Sequence, residues 1–120
     1  MNFRQQVEAR YRVVAAPRLT MRRQGQRITV EAFDGAVLVG YAHLFDGPDF
    51  IEADDTDGHD ALWVKPDHRR QGLAMSIYDY VERETGRSII PSEHRSGAGD
   101  LFWDKRIKRL PADHPAHDWV

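Results

Sequence analysis

The hydrophobic positions of this chain fall into short runs whose period changes along its length. From Arg27 to Phe33 they alternate, with Ile28, Val30 and Ala32 set against Thr29 and Glu31, the pattern of a strand with one face in a core. Asp34-Gly35 is a favoured hairpin dipeptide, and Ala36 to Phe45 resumes as a β-rich run, so the two segments predict an antiparallel hairpin. Asp46-Gly47-Pro48-Asp49 is a further turn, followed by the apolar pair Phe50-Ile51 and an acidic, small-residue loop from Glu52 to Asp60. Ala61 to Val64 reads as a short strand closed by Pro66, which cannot donate to a ladder. The period then lengthens. Leu73, Ile77, Tyr80 and Val81 recur at helical spacing and predict an amphipathic helix from Gly72 to Glu84, with Gly86 as its cap, Tyr80 in the core and Tyr78 on the surface. Ser88 to Pro91 carries the buried-strand pair Ile89-Ile90, and Ser96 to Arg106 reads as a second helix with Leu101, Phe102 and Trp103 on its apolar side. Before the hairpin, Asn2 to Tyr11 fits a short helix with Phe3, Val7 and Tyr11 on one side, and residues 110–120 read as an irregular tail. Strands followed by strand–helix–strand–helix give an α/β or α+β sheet with a crossover.

Composition narrows this picture. A chain of 120 residues is expected to be one domain, spanning residues 1–120. It contains no cysteine, which excludes disulfide scaffolds, thiolate zinc sites and a cysteine nucleophile. Lys and Arg number 17 against 19 Asp and Glu, so bulk electrostatics do not point to nucleic acid. Arg18, Arg22, Arg23 and Arg27, with Arg10 and Arg12 before them, still form one local basic cluster. No apolar run approaches the ~20 residues of a membrane span. Met1 to Arg12 has no apolar block of the secretory kind, so a cytoplasmic location is expected. No metal is expected either. Placing Gly58 at the sixth position of a calcium loop puts Ala53 and Val64 where carboxylates are required, and Pro111 and Pro115 break the helix that would align His114 with His117.

The segment from Leu62 to Ala74 carries the chemistry. A strand stops at Pro66, polar residues follow, and a helix begins at Gly72. The first turn of a helix presents unpaired N–H groups and partial positive charge. Gly72 lets a bulky anion approach the backbone, and Arg69, Arg70 and Gln71 add donors beside it. This is a candidate pyrophosphate cradle, and it is neither a Walker loop nor a Rossmann turn.

Arg69-x-x-Gly72-x-Ala74, with Val64 and Pro66 before it, resembles the acyl-CoA signature of the GNAT N-acetyltransferases, and the order of elements from Arg27 to Arg106 is similar to the family's. The resemblance implies a mixed, mostly antiparallel sheet flanked by helices and splayed at the cofactor strand. It implies that Leu62, Trp63 and Val64 bond the pantetheine arm of acetyl-CoA through their backbone. Arg69, Arg70, Gln71, Gly72, Leu73, Ala74 and Met75 would hold the pyrophosphate, and Ser96 stands where many members place a cofactor-contacting Asn. The partners implied are an acyl-CoA and a primary-amine acceptor, with room for a homodimer. Two departures stand out. The segment before the hairpin is short for the family, which normally builds its acceptor wall there. The position of the tyrosine that protonates the leaving thiolate in many members is matched by Trp103, whose indole has no usable acidity. Base candidates lie where the acidic loop enters the cofactor strand, namely Glu52, Asp54, Asp55, His59 and Asp60. Ser92, His94 and Ser96 are stand-ins for the missing acid, and His94 is the one whose ordinary pKa suits the task. The alternative is a non-catalytic protein of the same fold that holds a partner or nucleic acid on its basic N-terminal face.

Overall fold

A computed structural model of the chain describes residues 17–54, 61–93, 95 and 97–119. Its strands are β1 (Arg18–Gln24), β2 (Arg27–Asp34), β3 (Val37–Asp46), β4 (Ile51–Ala53), β5 (Leu62–Val64) and β6 (Ile89–Ile90), and its helices are α1 (Leu73–Thr85) and α2 (Gly97–Ile107). The six strands form one sheet in the order β1-β2-β3-β4-β6, with β5 beside β3 as well. All pairs are antiparallel except β4 with β6, which run parallel because the chain crosses over through α1 between them. This is the mixed, mostly antiparallel sheet with flanking helices that the sequence resemblance implies.

The predicted hairpin is β2 and β3. Ile28, Val30 and Ala32 pair across to Leu44, Ala42 and Gly40, and all six positions are buried on the face that α1 covers. β1 was not anticipated. Leu19 and Met21 turn toward the core while arginines occupy most of the other positions, so the apolar alternation is only two residues deep. β4 likewise extends into the expected loop through Glu52 and Ala53, held by β3 on one side and β6 on the other. Of the two tyrosines on α1, Tyr78 departs from the expectation of a surface position, while Tyr80 packs against the core only in part. Tyr78 is 2% exposed, under Phe102 and Trp103, whereas Tyr80 is half-buried beneath the Arg83 guanidinium. The tail is more ordered than expected. Pro115–Trp119 forms a 3₁₀ turn with Ala116 buried in the core. The helix expected at Asn2 to Tyr11 lies outside the described residues. Among those residues, no helix is long and apolar enough to cross a membrane.

β4 and β5 are two halves of one line along β3. Leu44 pairs with Ala53 and Ala42 with Leu62, so His43 stands opposite the break. Its carbonyl accepts from the Asp54 N–H at 2.8 Å and its N–H donates to the Ala61 carbonyl at 2.7 Å. The chain therefore leaves the ladder at Asp54 and rejoins it at Ala61. Only the first half pairs with β6, and among the described residues β5 has no partner other than β3. The far edge of β5 is the splay.

Gly40 fixes where α1 sits against this edge. A Cβ there would lie 3.1 Å from the Trp63 carbonyl oxygen and 3.2 Å from Leu73 Cδ2, so helix and sheet approach as closely as they do only over a glycine. Gly40→Val is expected to cost about 1–3 kcal/mol by overpacking. Chemical denaturation would show this as a lower midpoint with an unchanged slope.

At the other end of α1, the carboxylate of Glu82 joins four elements. It accepts from Arg106 Nη2 of α2 at 2.8 Å, from the Ile89 N–H of β6 at 2.8 Å and from His114 Nε2 of the tail at 2.6 Å. The Ala116 N–H donates to His114 Nδ1 at 3.0 Å, which fixes the tautomer that donates to Glu82. Arg106 is 1% exposed, pairs also with Asp79 at 2.8 Å, and lies against the rings of Tyr78 and Trp103. His117 turns elsewhere, with Nε2 donating to the Pro111 carbonyl at 2.9 Å.

Candidate active site

The register of β5 decides which of its backbone groups are available. The His43 N–H reaches the Ala61 carbonyl and the Lys65 N–H reaches the Val39 carbonyl at 2.8 Å, so hydrogen bonding to β3 falls on the odd positions of β5. Antiparallel alternation then turns the Trp63 groups toward Tyr41 and the Leu62 and Val64 groups toward the open edge. Of the strand residues named from the sequence, Leu62 and Val64 are placed to offer backbone bonds outward. The Val64 carbonyl is already accepting from Arg69 Nε at 2.9 Å. Arg69 thus straps the following turn to the strand.

That turn ends in two left-handed residues. Arg70 has φ 64°, a conformation rare for a residue with a side chain, and Gly72 has φ 79° and ψ 11°. The first bond within α1 runs from the Ser76 N–H to the Gly72 carbonyl at 3.0 Å. The N–H groups of Leu73, Ala74 and Met75 therefore lack helical acceptors, no side chain caps them, and no acidic residue occupies the first turn. Arg70, Gln71 and Gly72 are exposed around them, and nothing lies within 4 Å of where a Gly72 Cβ would stand. A set of free backbone donors, an uncompensated positive dipole and an open approach suit a phosphate group.

The opposite face of the sheet gathers other groups. Glu52 lies directly across from Phe45, and Trp63 across from Tyr41, so Glu52, His43, Tyr41 and Trp63 share the face away from α1 and surround the strand break. The Tyr41 ring stacks on Trp63 at 5.5 Å and lies tilted against His43 at 5.0 Å, and His43 Nδ1 lies 3.3 Å from Thr29 Oγ1. Sequence reasoning placed Tyr41 and His43 in a β-rich run but not at the site. Their odd-numbered positions, out of phase with the apolar ones, were the available signal.

Asp54, two residues on from Glu52, follows the same register onto the same face. Its side chain is 10% exposed and its carboxylate is paired with Arg27 Nε at 3.8 Å. His94 and Ser96, with Asp55, His59 and Asp60, lie outside the described residues. Ser92 lies in the loop after β6, where its carbonyl accepts from Arg95 Nη1 at 3.0 Å. Trp103 is 4% exposed and packs edge-on against Tyr78 and Phe102, a core position. Tyr78 lies in the core beneath these rings, and burial pushes its hydroxyl up to about 12 in spite of the Arg106 cation. Of the basic cluster, Arg10 and Arg12 lie outside the described residues, and the others have neighbours within the sheet. Arg22 lies 3.8 Å from Glu31, Arg23 3.4 Å from Asp46, and Arg18 stands over the Phe33 ring.

An open strand edge running into an uncapped helix start, within this sheet order, is the arrangement that the sequence resemblance implies. The chain belongs to the acetyltransferase (GNAT) family, whose model matches residues 3–89. Its activity is accordingly of the acetyltransferase type, in a family that generally uses acetyl-CoA. No curated protein matches the chain closely enough to count as a relative. The family match takes in the strand break, the signature turn and α1 and stops at β6, before α2 and Trp103.

Proposed function

We propose that this chain is a single acetyl-CoA-dependent N-acetyltransferase domain that moves the acetyl group to a primary amine in a ternary complex. The observation that carries the reading is the continuity between the open edge of β5 and the uncapped N-terminus of α1. The N–H groups of Leu73, Ala74 and Met75 hold the pyrophosphate, with Arg70 and Gln71 beside them. The outward groups of Leu62 and Val64 align the pantetheine arm, and the outward N–H nearest the strand break polarises the thioester carbonyl. Glu52 accepts the proton of the attacking ammonium, directly or through water, and the amine adds to the carbonyl carbon as the C–S bond breaks. No acyl-enzyme forms on cysteine, since the chain has none. The nitrogen sheds its second proton to solvent as the amide forms, and the departing thiolate, a far better leaving group than the amine, takes one from solvent without an enzymatic acid.

Calorimetric titration with CoA tests the first half of the proposal, and release of free thiol from acetyl-CoA across a panel of amines tests the second. Submillimolar CoA binding together with amine-dependent thiol release is expected. Failure of CoA to bind at that concentration overturns the proposal. Glu52→Gln should lower kcat about a hundredfold while leaving CoA affinity unchanged. An unaltered kcat would remove Glu52 from the mechanism.

A further inference from the structure

The turn that precedes α1 is anchored by an imidazole with a carboxylate at each nitrogen. His68, at the end of the 3₁₀ turn Pro66–His68, directs Nδ1 to Asp67 Oδ1 at 2.8 Å and Nε2 to Asp34 Oδ2 at 3.4 Å. Asp34 belongs to the tip of the β2–β3 hairpin, 34 residues away in sequence, so the imidazole ties the hairpin to the signature turn. Its side chain is 13% exposed although the turn itself lies at the surface. A neutral imidazole donates from one nitrogen only, whereas both neighbours here are acceptors. The arrangement is therefore complete only with imidazolium. The other charged group at this point is Lys65, 3.7 Å from the second oxygen of Asp67. Arg69, the next residue, is occupied with the Val64 carbonyl.

We propose that His68 is a positioning residue for acyl-CoA, clamping the phosphate-holding turn to the β2–β3 hairpin in its protonated form, and that acyl-CoA affinity consequently falls as this imidazole deprotonates. The inference rests on the assignment of residues 69–75 to the pyrophosphate. His68 touches no part of that cradle. It acts through Arg69 and Arg70, whose backbone must run from the strand to the left-handed turn for the α1 N–H groups to converge.

The direction of the pH effect follows from the partners. The hydrogen bond to Asp67, with a further one to Asp34, raises the His68 pKa above its ordinary value, and the same bond lowers that of Asp67. A raised histidine pKa means that the clamp is fully formed below the unfolded-state value, about 6.5, and is lost as pH rises through the folded one. The Asp67 contribution is present above the ordinary carboxylate range and is lost only in acid. The clamp therefore operates from mildly acidic to near-neutral pH. Linkage requires the reciprocal effect, that bound CoA raise the His68 pKa further.

The test measures CoA affinity by calorimetry at about pH 6 and about pH 8.5 for the full chain and two variants. Phosphate groups of CoA titrate over part of this range, so the wild-type-to-variant ratio at each pH is the quantity read. Asp34→Asn keeps a favourable hairpin dipeptide and lies away from the cradle, while His68→Leu removes both donors. Each variant should bind CoA about threefold to tenfold more weakly than wild type at the lower pH and within about twofold at the higher one. The His68 resonance should titrate at higher pH when CoA is bound. If wild type binds CoA but the ratios stay near unity at both pH values, the clamp is wrong and the cradle stands. Ratios that are large but equal at both pH values would also overturn it, since they would mean packing rather than protonation. If wild type does not bind CoA at all, the functional reading has failed instead.

Discussion

Glu82→Ala is expected to destabilise the fold by about 3–5 kcal/mol, a large part of the 5–15 kcal/mol typical of a small domain. The substitution leaves the buried Arg106 guanidinium with Asp79 alone, a partner whose side chain is 55% exposed. It also strips the acceptor from the Ile89 N–H, which starts β6, and from His114, which holds the tail. Removing one member of a buried ion pair is more costly than the pair is worth, because the survivor keeps its desolvation penalty. Two comparisons separate that penalty from lost packing. Glu82→Gln should fall between wild type and alanine, since it keeps an acceptor but not the charge. Glu82→Leu combined with Arg106→Leu should recover much of the loss, giving a coupling energy well above about 0.5 kcal/mol. Urea denaturation of the four proteins measures all of this. A loss below about 1 kcal/mol for Glu82→Ala would mean that the network carries little of the stability.

The hub was not legible in the sequence, and the reason shows how far periodicity reaches. The apolar stripe of α1 was visible as Leu73, Ile77, Tyr80 and Val81, of which Leu73, Ile77 and Val81 are fully buried. Periodicity assigns Tyr80 to the core and Tyr78 to the surface, yet the two flank those three residues on opposite sides, and Tyr78 is the one fully buried. The choice was made by α2, whose Phe102 and Trp103 rings close over Tyr78 at 5.0 and 5.9 Å. β1 was hidden for a different reason. Its apolar positions are Leu19 and Met21, and arginine, whose stem can lie along apolar surface, fills much of the rest. The face that carries Glu52 depends on register. Glu52 was named from the acidic loop, but its proximity to His43, Tyr41 and Trp63 exists only because β4 and β5 share β3 as a partner on either side of a break. The signature turn was the most legible part, since a strand stop, donors and a glycine are local features.

That locality makes Gly72 the most direct test of the coenzyme site. Gly72→Glu is expected to weaken CoA binding by more than about a hundredfold, or about 2.7 kcal/mol. Three effects act together. The new carboxylate stands at the N-terminus of α1, where it competes for the N–H groups of Leu73, Ala74 and Met75 as an internal anion. It repels the pyrophosphate at close range. A Cβ at φ 79° also disfavours the left-handed conformation that aims those groups outward, by about 1 kcal/mol. The space around the position is open, with nothing within 4 Å of the added Cβ, so the variant should fold. The added charge favours the helix N-terminus, which separates a binding defect from a stability defect in the direction opposite to the usual confusion. Gly72→Asn is the control, because asparagine tolerates the left-handed region and carries no charge. It should lose less than about tenfold. If Gly72→Glu binds CoA as wild type does while its circular dichroism and unfolding midpoint are unchanged, the anion does not sit at this helix start, and the assignment of the whole turn falls with it.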